Sequence, residues 1–161
     1  MFVLERDSAD PVPVWTVPSI GPGNITQSSA TALAIDNNGR YIVGLYVCED
    51  VCAPAGELRI YESGGMITEW MPLPGNVLPP NDLAWSPAGY VVLASAQIVK
   101  DWSTRFLLEA YVPGTYEPAW TYKKAEMATT HLARAVVVAP GVVVGAGVGG
   151  DGLPAFAFVN P

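Results

Sequence analysis

Short apolar runs alternate with clusters of turn residues along the whole chain. Ala32-Leu33-Ala34-Ile35 is followed by Asp36-Asn37-Asn38-Gly39 and then by the apolar run from Arg40 to Val47. The same order returns in Asp82-Leu83-Ala84-Trp85, Ser86-Pro87-Ala88-Gly89 and Tyr90 to Gln97. It returns again in Arg134 to Val138, Ala139-Pro140-Gly141 and Val142 to Val148, with one turn residue missing. Runs of this length, rich in Val, Ile, Tyr and Thr and closed by a Gly turn, predict β-hairpins. Asn-Gly at the tip of the first favours a tight turn, since glycine accepts a positive φ. The turn glycines Gly39, Gly89 and Gly141 lie 50 and 52 residues apart. No stretch carries the 3.6-residue periodicity of a long amphipathic helix.

Two further strands follow each hairpin. The four strands of a unit are labelled a, b, c and d. Strand c is Glu57 to Tyr61, Phe106 to Tyr111 and, at the ends, Phe2 to Arg6 and Ala155 to Val159. Strand d closes on Trp15, Trp70 or Trp120, spaced by 55 and 50 residues. Strands a and b are nearly all apolar, as inner strands covered on both faces should be. Strands c and d mix in charge, as expected toward a rim. The Trp residues recur in order and read as packing of the repeat core.

A period near 50 residues with four short strands per unit fits β-propeller blades. The expectation is therefore an all-β fold of propeller-type blades, each of four antiparallel strands. The chain reads as one repeat domain, 1–161, with approximate repeats 1–56, 57–105 and 106–154 and a partial strand at 155–161. The strands run c-d, a-b-c-d, a-b-c-d, a-b-c. That makes about three blades, too few to close a ring in one chain. A β-sandwich of unrelated hairpins is compatible with the spacings alone, but does not account for turn, Gly and Trp recurring in one order.

The DNNG turn at 36–39, and Arg59-Ile60-Tyr61-Glu62-Ser63-Gly64-Gly65 leading to Trp70, resemble the blades of secreted bacterial β-propeller-repeat proteins. The resemblance covers nearly the whole chain and implies the propeller fold and an extracytoplasmic setting. It implies little about activity. Departures from the pattern are the Ser86-Pro87-Ala88-Gly89 turn, the shortened third turn and the cysteine loop.

Composition narrows the function classes. Half of the residues are hydrophobic and 14% charged, which excludes a disordered chain. Sixteen Gly and 15 Pro supply the turns. Net charge is −7 with eight Lys and Arg, so nucleic acid is not an expected partner. The Lys123-Lys124 pair is isolated and reads as a solvated loop. Membrane insertion is not expected either, because the longest apolar run, Ala135 to Val148, is broken by Pro140 and several Gly. MFVLERDSAD does not read as a signal peptide. The protein is then either cytosolic or a mature or excised segment; the second is the expectation, because the chain starts and stops inside the repeat.

Cys48 and Cys52 frame the loop CEDVC. A disulfide is possible if the loop folds back, and would imply an oxidising compartment. Free thiols remain open. A redox pair or a metal site is disfavoured by the spacing and by the lack of further ligands.

No catalytic constellation emerges. His131 is the single histidine, in a loop, with no nucleophile turn to serve. Asp36 to Gly39 lacks the Glu that an EF-hand loop places at its twelfth position, where Val47 stands. Gly149-Gly150-Asp151-Gly152 is likewise read as a loop. Glu57, Glu69, Asp82 and Asp101 are carboxylates of unknown separation. The glycines of GAGVGGDG do not open a helix, so they imply no nucleotide loop. Asn24-Ile25-Thr26 is a glycosylation sequon that matters only in a eukaryotic secretory pathway. Trp102, Tyr116 and Tyr122, in or near loops, are the candidate binding residues, against a packing role at blade edges.

The sequence therefore predicts a non-catalytic scaffold for binding, adhesion or self-assembly, with no metal or cofactor. Its expected partner is another protein, met through the terminal strands or as further blades of a longer chain. The alternatives are a non-catalytic part of a larger secreted enzyme and, last, a hydrolase using acidic residues near a channel.

Overall fold

The computed structural model describes residues 2–4, 13–16, 25–49, 55–99, 103–115, 117–124 and 130–160, with the backbone alone for 2–4, 13–16, 25–27 and 49. These residues form strands joined by turns, with no helix among them. The first sheet is a meander of β3 (Ile25–Ile35), β4 (Tyr41–Glu49), β5 (Ala55–Tyr61) and β6 (Ile67–Pro72). A second meander follows, of β7 (Asp82–Ser86), β8 (Tyr90–Ile98), β9 (Thr104–Tyr111) and β10 (Pro118–Lys123). The third holds β11 (Leu132–Ala139), β12 (Val142–Val148) and β13 (Pro154–Val159). β1 (Phe2–Leu4) and β2 (Pro13–Thr16) pair separately. All pairings within the sheets are antiparallel.

The hairpins arise where the sequence places them. In the first, Asp36 accepts the Gly39 N–H at 3.1 Å, and in the second Ser86 accepts the Gly89 N–H at 2.9 Å. Gly39 and Gly89 have φ of 77° and 93°, which a residue with a Cβ rarely adopts. The Asp36 side chain reinforces its turn, its Oδ1 accepting from the Asn38 and Arg40 amides at 2.8 and 2.9 Å.

The sheets stack face against face. Ile42, Leu58, Ile60 and Met71 of the first sheet meet Leu83, Val91, Leu93, Leu107 and Tyr111 of the second. The second sheet's other face, with Val92, Ala94, Phe106, Leu108 and Ala110, meets Ala133, Val136, Val143, Ala155 and Ala157 of the third. The middle sheet is thus covered on both sides, which explains why β8 and β9 are buried almost throughout. This burial is the main stabilising term, at about 25 cal/mol for each Å² of apolar surface removed from water.

Strand c departs from the expectation of a polar rim. β5 and β9 carry buried charge: Glu57, Arg59 and Glu109 are all under 6% exposed, the first two on the face of the first sheet turned away from the second. The hydrogen-bonded units are the contiguous stretches 25–72, 82–123 and 132–159, so each begins at strand a. The third sheet has only one covered face. Val137, Phe156 and Phe158 on its outer side are 60% or more exposed.

The Trp residues also depart from the expected register. Arg59 pairs with Trp70, whereas Ala110, one position further along strand c, pairs with Trp120. The c–d connection explains the difference. Tyr61 pairs with Ile67 across residues 62–66, and Tyr111 pairs with Pro118 across residues 112–117, one residue longer. A one-residue slip in a strand sends its side chains to the opposite face. Trp70 accordingly points away from the second sheet, while Trp120 points into the gap between the second and third.

Candidate functional site

The slip leaves Glu69 in the place that Trp120 takes in the second sheet. Both lie beside strand c on the face turned toward the following sheet: Glu69 pairs with Ile60, and Trp120 with Ala110. Their neighbours correspond as well. Arg40 and Tyr90 stand one residue after Gly39 and Gly89. Tyr90 and Trp120 pack edge to face with centroids 6.2 Å apart. Arg40 and Glu69 instead form an ion pair, Nη1 to Oε1 at 3.3 Å. One pair of positions therefore holds two rings in one gap and two charges in the other.

The consequence is a cavity of about 200 Å³ between the first and second sheets. Its walls are aliphatic, with Ile42, Leu58, Ile60, Met71 and Val91, and Tyr111 closes one side. The c–d turn of the second sheet, at Pro113 to Thr115, and Thr68, Glu69 and Trp70 of β6 complete the lining. Glu69 reaches across toward that turn, since a Cβ placed on Gly114 would lie 3.9 Å from its Oε2.

Charge at this site is arranged in a chain. Arg40 Nε donates to Asp36 Oδ2 at 2.7 Å. Burial pushes the Asp36 carboxyl up, but the hydrogen bonds from the Arg40 backbone and side chain and from the Asn38 backbone outweigh it. The net result is a value below the ordinary 3.8. The hydrogen bond to Asp36 in turn raises Arg40. Asp36, Arg40 and Glu69 are therefore two carboxylates on one guanidinium, with negative charge in excess. Deeper in, Tyr111 donates to Glu109 Oε2 at 2.7 Å, and Thr121 Oγ1 donates to Glu109 Oε1 at 3.2 Å. Burial, and then the hydrogen bond and charge of Glu109, push the Tyr111 phenol well above its ordinary value.

The other carboxylates expected from sequence do structural work. Asp82 Oδ2 accepts the Val136 amide at 2.8 Å and so fixes β11 against β7. Asn81 Nδ2 assists, donating to the Ala133 carbonyl at 2.7 Å. Glu57 forms a buried ion pair with Arg59 and accepts from Trp70 Nε1 at 2.6 Å. Asp82 lies against the third sheet and Glu57 on the face of the first sheet turned away from the second, so the two do not converge. Asp101 lies outside the described residues. Among the described residues no three His, Cys, Asp or Glu side chains are grouped to hold a metal ion.

Of the candidate binding residues, Tyr122 is half-buried and packs edge to face on Phe106 with centroids 6.4 Å apart, which makes it part of the core between the second and third sheets. Trp102 and Tyr116 lie outside the described residues. Cys48 is fully buried on β4, and Cys52 lies outside the described residues. His131 is tied into the stack by its backbone. Its N–H donates to the Thr104 carbonyl at 2.9 Å, and its carbonyl accepts from Thr104 Oγ1 at 3.0 Å. No helix of the described residues is long and apolar enough to cross a membrane.

Compared with protein families, with curated proteins and with solved structures, the chain matches none of them.

Proposed function

We propose that the three sheets are consecutive blades of a β-propeller and that the chain is a non-catalytic scaffold for binding or self-assembly, working outside the cytoplasm. The observation that carries this reading is the outer face of the third sheet. Val92, Leu108 and Ala110 of the middle sheet are fully covered by the sheet that follows. Counting from the turn glycines and the strand pairing, their counterparts are Val144, Phe156 and Phe158. Phe156 and Phe158 are 60% and 74% exposed. Aromatic side chains at positions that are core in the preceding unit support a stack that continues, and among the described residues β13 has no fourth strand beside it such as β9 has in β10. The occupant of choice is a second copy, so that two chains share a ring.

Light scattering at micromolar concentration tests this. The expected result is a particle heavier than the 17.0 kDa chain, reduced to 17.0 kDa in F156S/F158S with an unchanged β circular-dichroism signal. A parent chain that is monomeric with a native β signal refutes self-assembly. The extracytoplasmic setting rests on the blade resemblance and on a disulfide between Cys48 and Cys52. Titration of the denatured, unreduced protein should then find no thiol, and two reactive thiols would remove that part of the reading.

A further inference from the structure

The geometry points to the cavity between the first and second sheets as a binding site for a small organic cation: an aryl or cycloalkyl body carrying an amine. This inference stands apart from self-assembly. It rests on what the fold does with the same space one gap further on. There, Trp120 and Tyr90 occupy the equivalent positions and fill the gap with rings. Here the two positions are Glu69 and Arg40, and about 200 Å³ stays open. A void of ~150 Å³ lined by aliphatic and aromatic side chains is enough to bind benzene. The walls here, Ile42, Leu58, Ile60, Met71 and Val91, are of that kind. One or two rings therefore match both the volume and the lining, as the indole of Trp120 does in its own gap.

The charge of the ligand follows from the mouth. The Glu69 side chain is 29% exposed, so it stands where the cavity meets water. Its Oε1 engages Arg40, and its Oε2 is turned toward Gly114 across the opening. Arg40 is already shared with Asp36, whose carboxyl is held below its ordinary value and stays ionised. The group at the mouth therefore carries excess negative charge. A cation set there adds attraction at the edge while its apolar body fills the interior. A carboxylate or phosphate ligand would meet repulsion instead.

The test uses tryptamine and phenethylamine as probes, with indole and benzyl alcohol as their neutral counterparts, titrated into the intact chain by calorimetry and by methyl NMR of Met71. Both amines should bind, with shifts at Met71, and more tightly than the neutral probes. E69Q should weaken the amines about fivefold, the worth of a partly exposed ion pair, and leave the neutral probes unchanged. E69W, which places an indole where Trp120 has one, should abolish all binding while keeping the circular-dichroism spectrum. Binding of indole as tight as that of tryptamine, unaltered in E69Q, would overturn the cation assignment. Absence of binding by all four probes, or binding that survives E69W without a Met71 shift, would overturn the site. Neither failure bears on self-assembly, which is read from particle mass.

Discussion

Replacing Arg59 by methionine is expected to destabilise the chain by about 3–5 kcal/mol, read as a shift of the urea midpoint at unchanged slope. Arg59 sits on the central part of β5 with its side chain 2% exposed, and the Glu57 side chain beside it is 6% exposed. Methionine keeps most of the aliphatic stem, so little packing is lost. What is lost is the only cation set against Glu57 among the described residues. Among the described residues the carboxylate then keeps one neutral donor, Trp70 Nε1 at 2.6 Å. A buried charge with that little compensation either stays ionised at a heavy desolvation cost or takes up a proton.

The double variant E57Q/R59M separates this cause from simple loss of contacts. Glutamine retains an oxygen for the Trp70 indole but carries no charge. Arg59 Nε has no hydrogen-bond partner among the described residues, so the parent ion pair is itself imperfectly satisfied. Removing both charges should therefore recover the parent stability to within about 1.5 kcal/mol, because a buried pair gains little over apolar replacements. If E57Q/R59M is as unstable as R59M, the loss comes from packing, and the electrostatic account fails.

The buried pair also shows where sequence reading succeeds and where it stops. Strand position is a local property. Val142 to Val148 coincides with β12, and Arg134 to Val138 falls inside β11. Alternation and turn glycines suffice for that, because they act over a few residues. Which face a side chain takes is not local when strands are joined by loops of different length. Trp70 and Trp120 follow Tyr61 and Tyr111 at the same interval, yet one residue added between Tyr111 and Pro118 turns them to opposite sides. The polar character of strand c misleads as well. Glu57, Arg59 and Glu109 look like rim residues, yet all three are buried: Glu109 between the first and second sheets, Glu57 and Arg59 on the face of the first sheet turned away from the second.

The candidate site was legible only in pieces. Asp36 is plain as a turn residue, and its side-chain bonds to Asn38 and Arg40 follow from turn chemistry. Glu69 is visible merely as an acid. Its significance depends on standing where Trp120 stands in the next unit, and that equivalence comes from register. A cavity is the absence of a side chain at a position, so it appears once the position is known. The exposed aromatics Phe156 and Phe158 show the opposite case. Their alternation with Ala155, Ala157 and Val159 marks a two-faced strand at once, but only the stack shows that one face has no neighbour.

Gly147→Ala should cost about 3 kcal/mol or more, a larger loss than one methyl group ordinarily brings. A Cβ on Gly147 would lie 1.8 Å from the Leu132 carbonyl oxygen and 3.0 Å from the Ala133 Cα, both backbone atoms of β11. No rotamer change relieves such a contact, so the strands themselves must part. They would part at the irregularity between Ala133 and Ala135, where the β11–β12 register shifts. This is also where Asn81 holds the Ala133 carbonyl and Asp82 holds the Val136 amide. The substitution therefore loosens the third sheet from the second as well as β12 from β11. Gly145→Ala provides the comparison on the same strand. Its Cβ would lie 2.7 and 2.8 Å from the two Leu108 methyls, side-chain atoms that can shift where backbone cannot, and about 1–2 kcal/mol is expected. Gly64→Ala, with open space around it, should be near neutral. Urea unfolding of the three variants, with hydrogen exchange at the Val136 amide, decides the matter. Gly147→Ala should be the least stable and should lose protection at Val136 first. If it is no less stable than Gly145→Ala, β12 does not approach β11 this closely, and Gly145 and Gly147 are interchangeable packing positions.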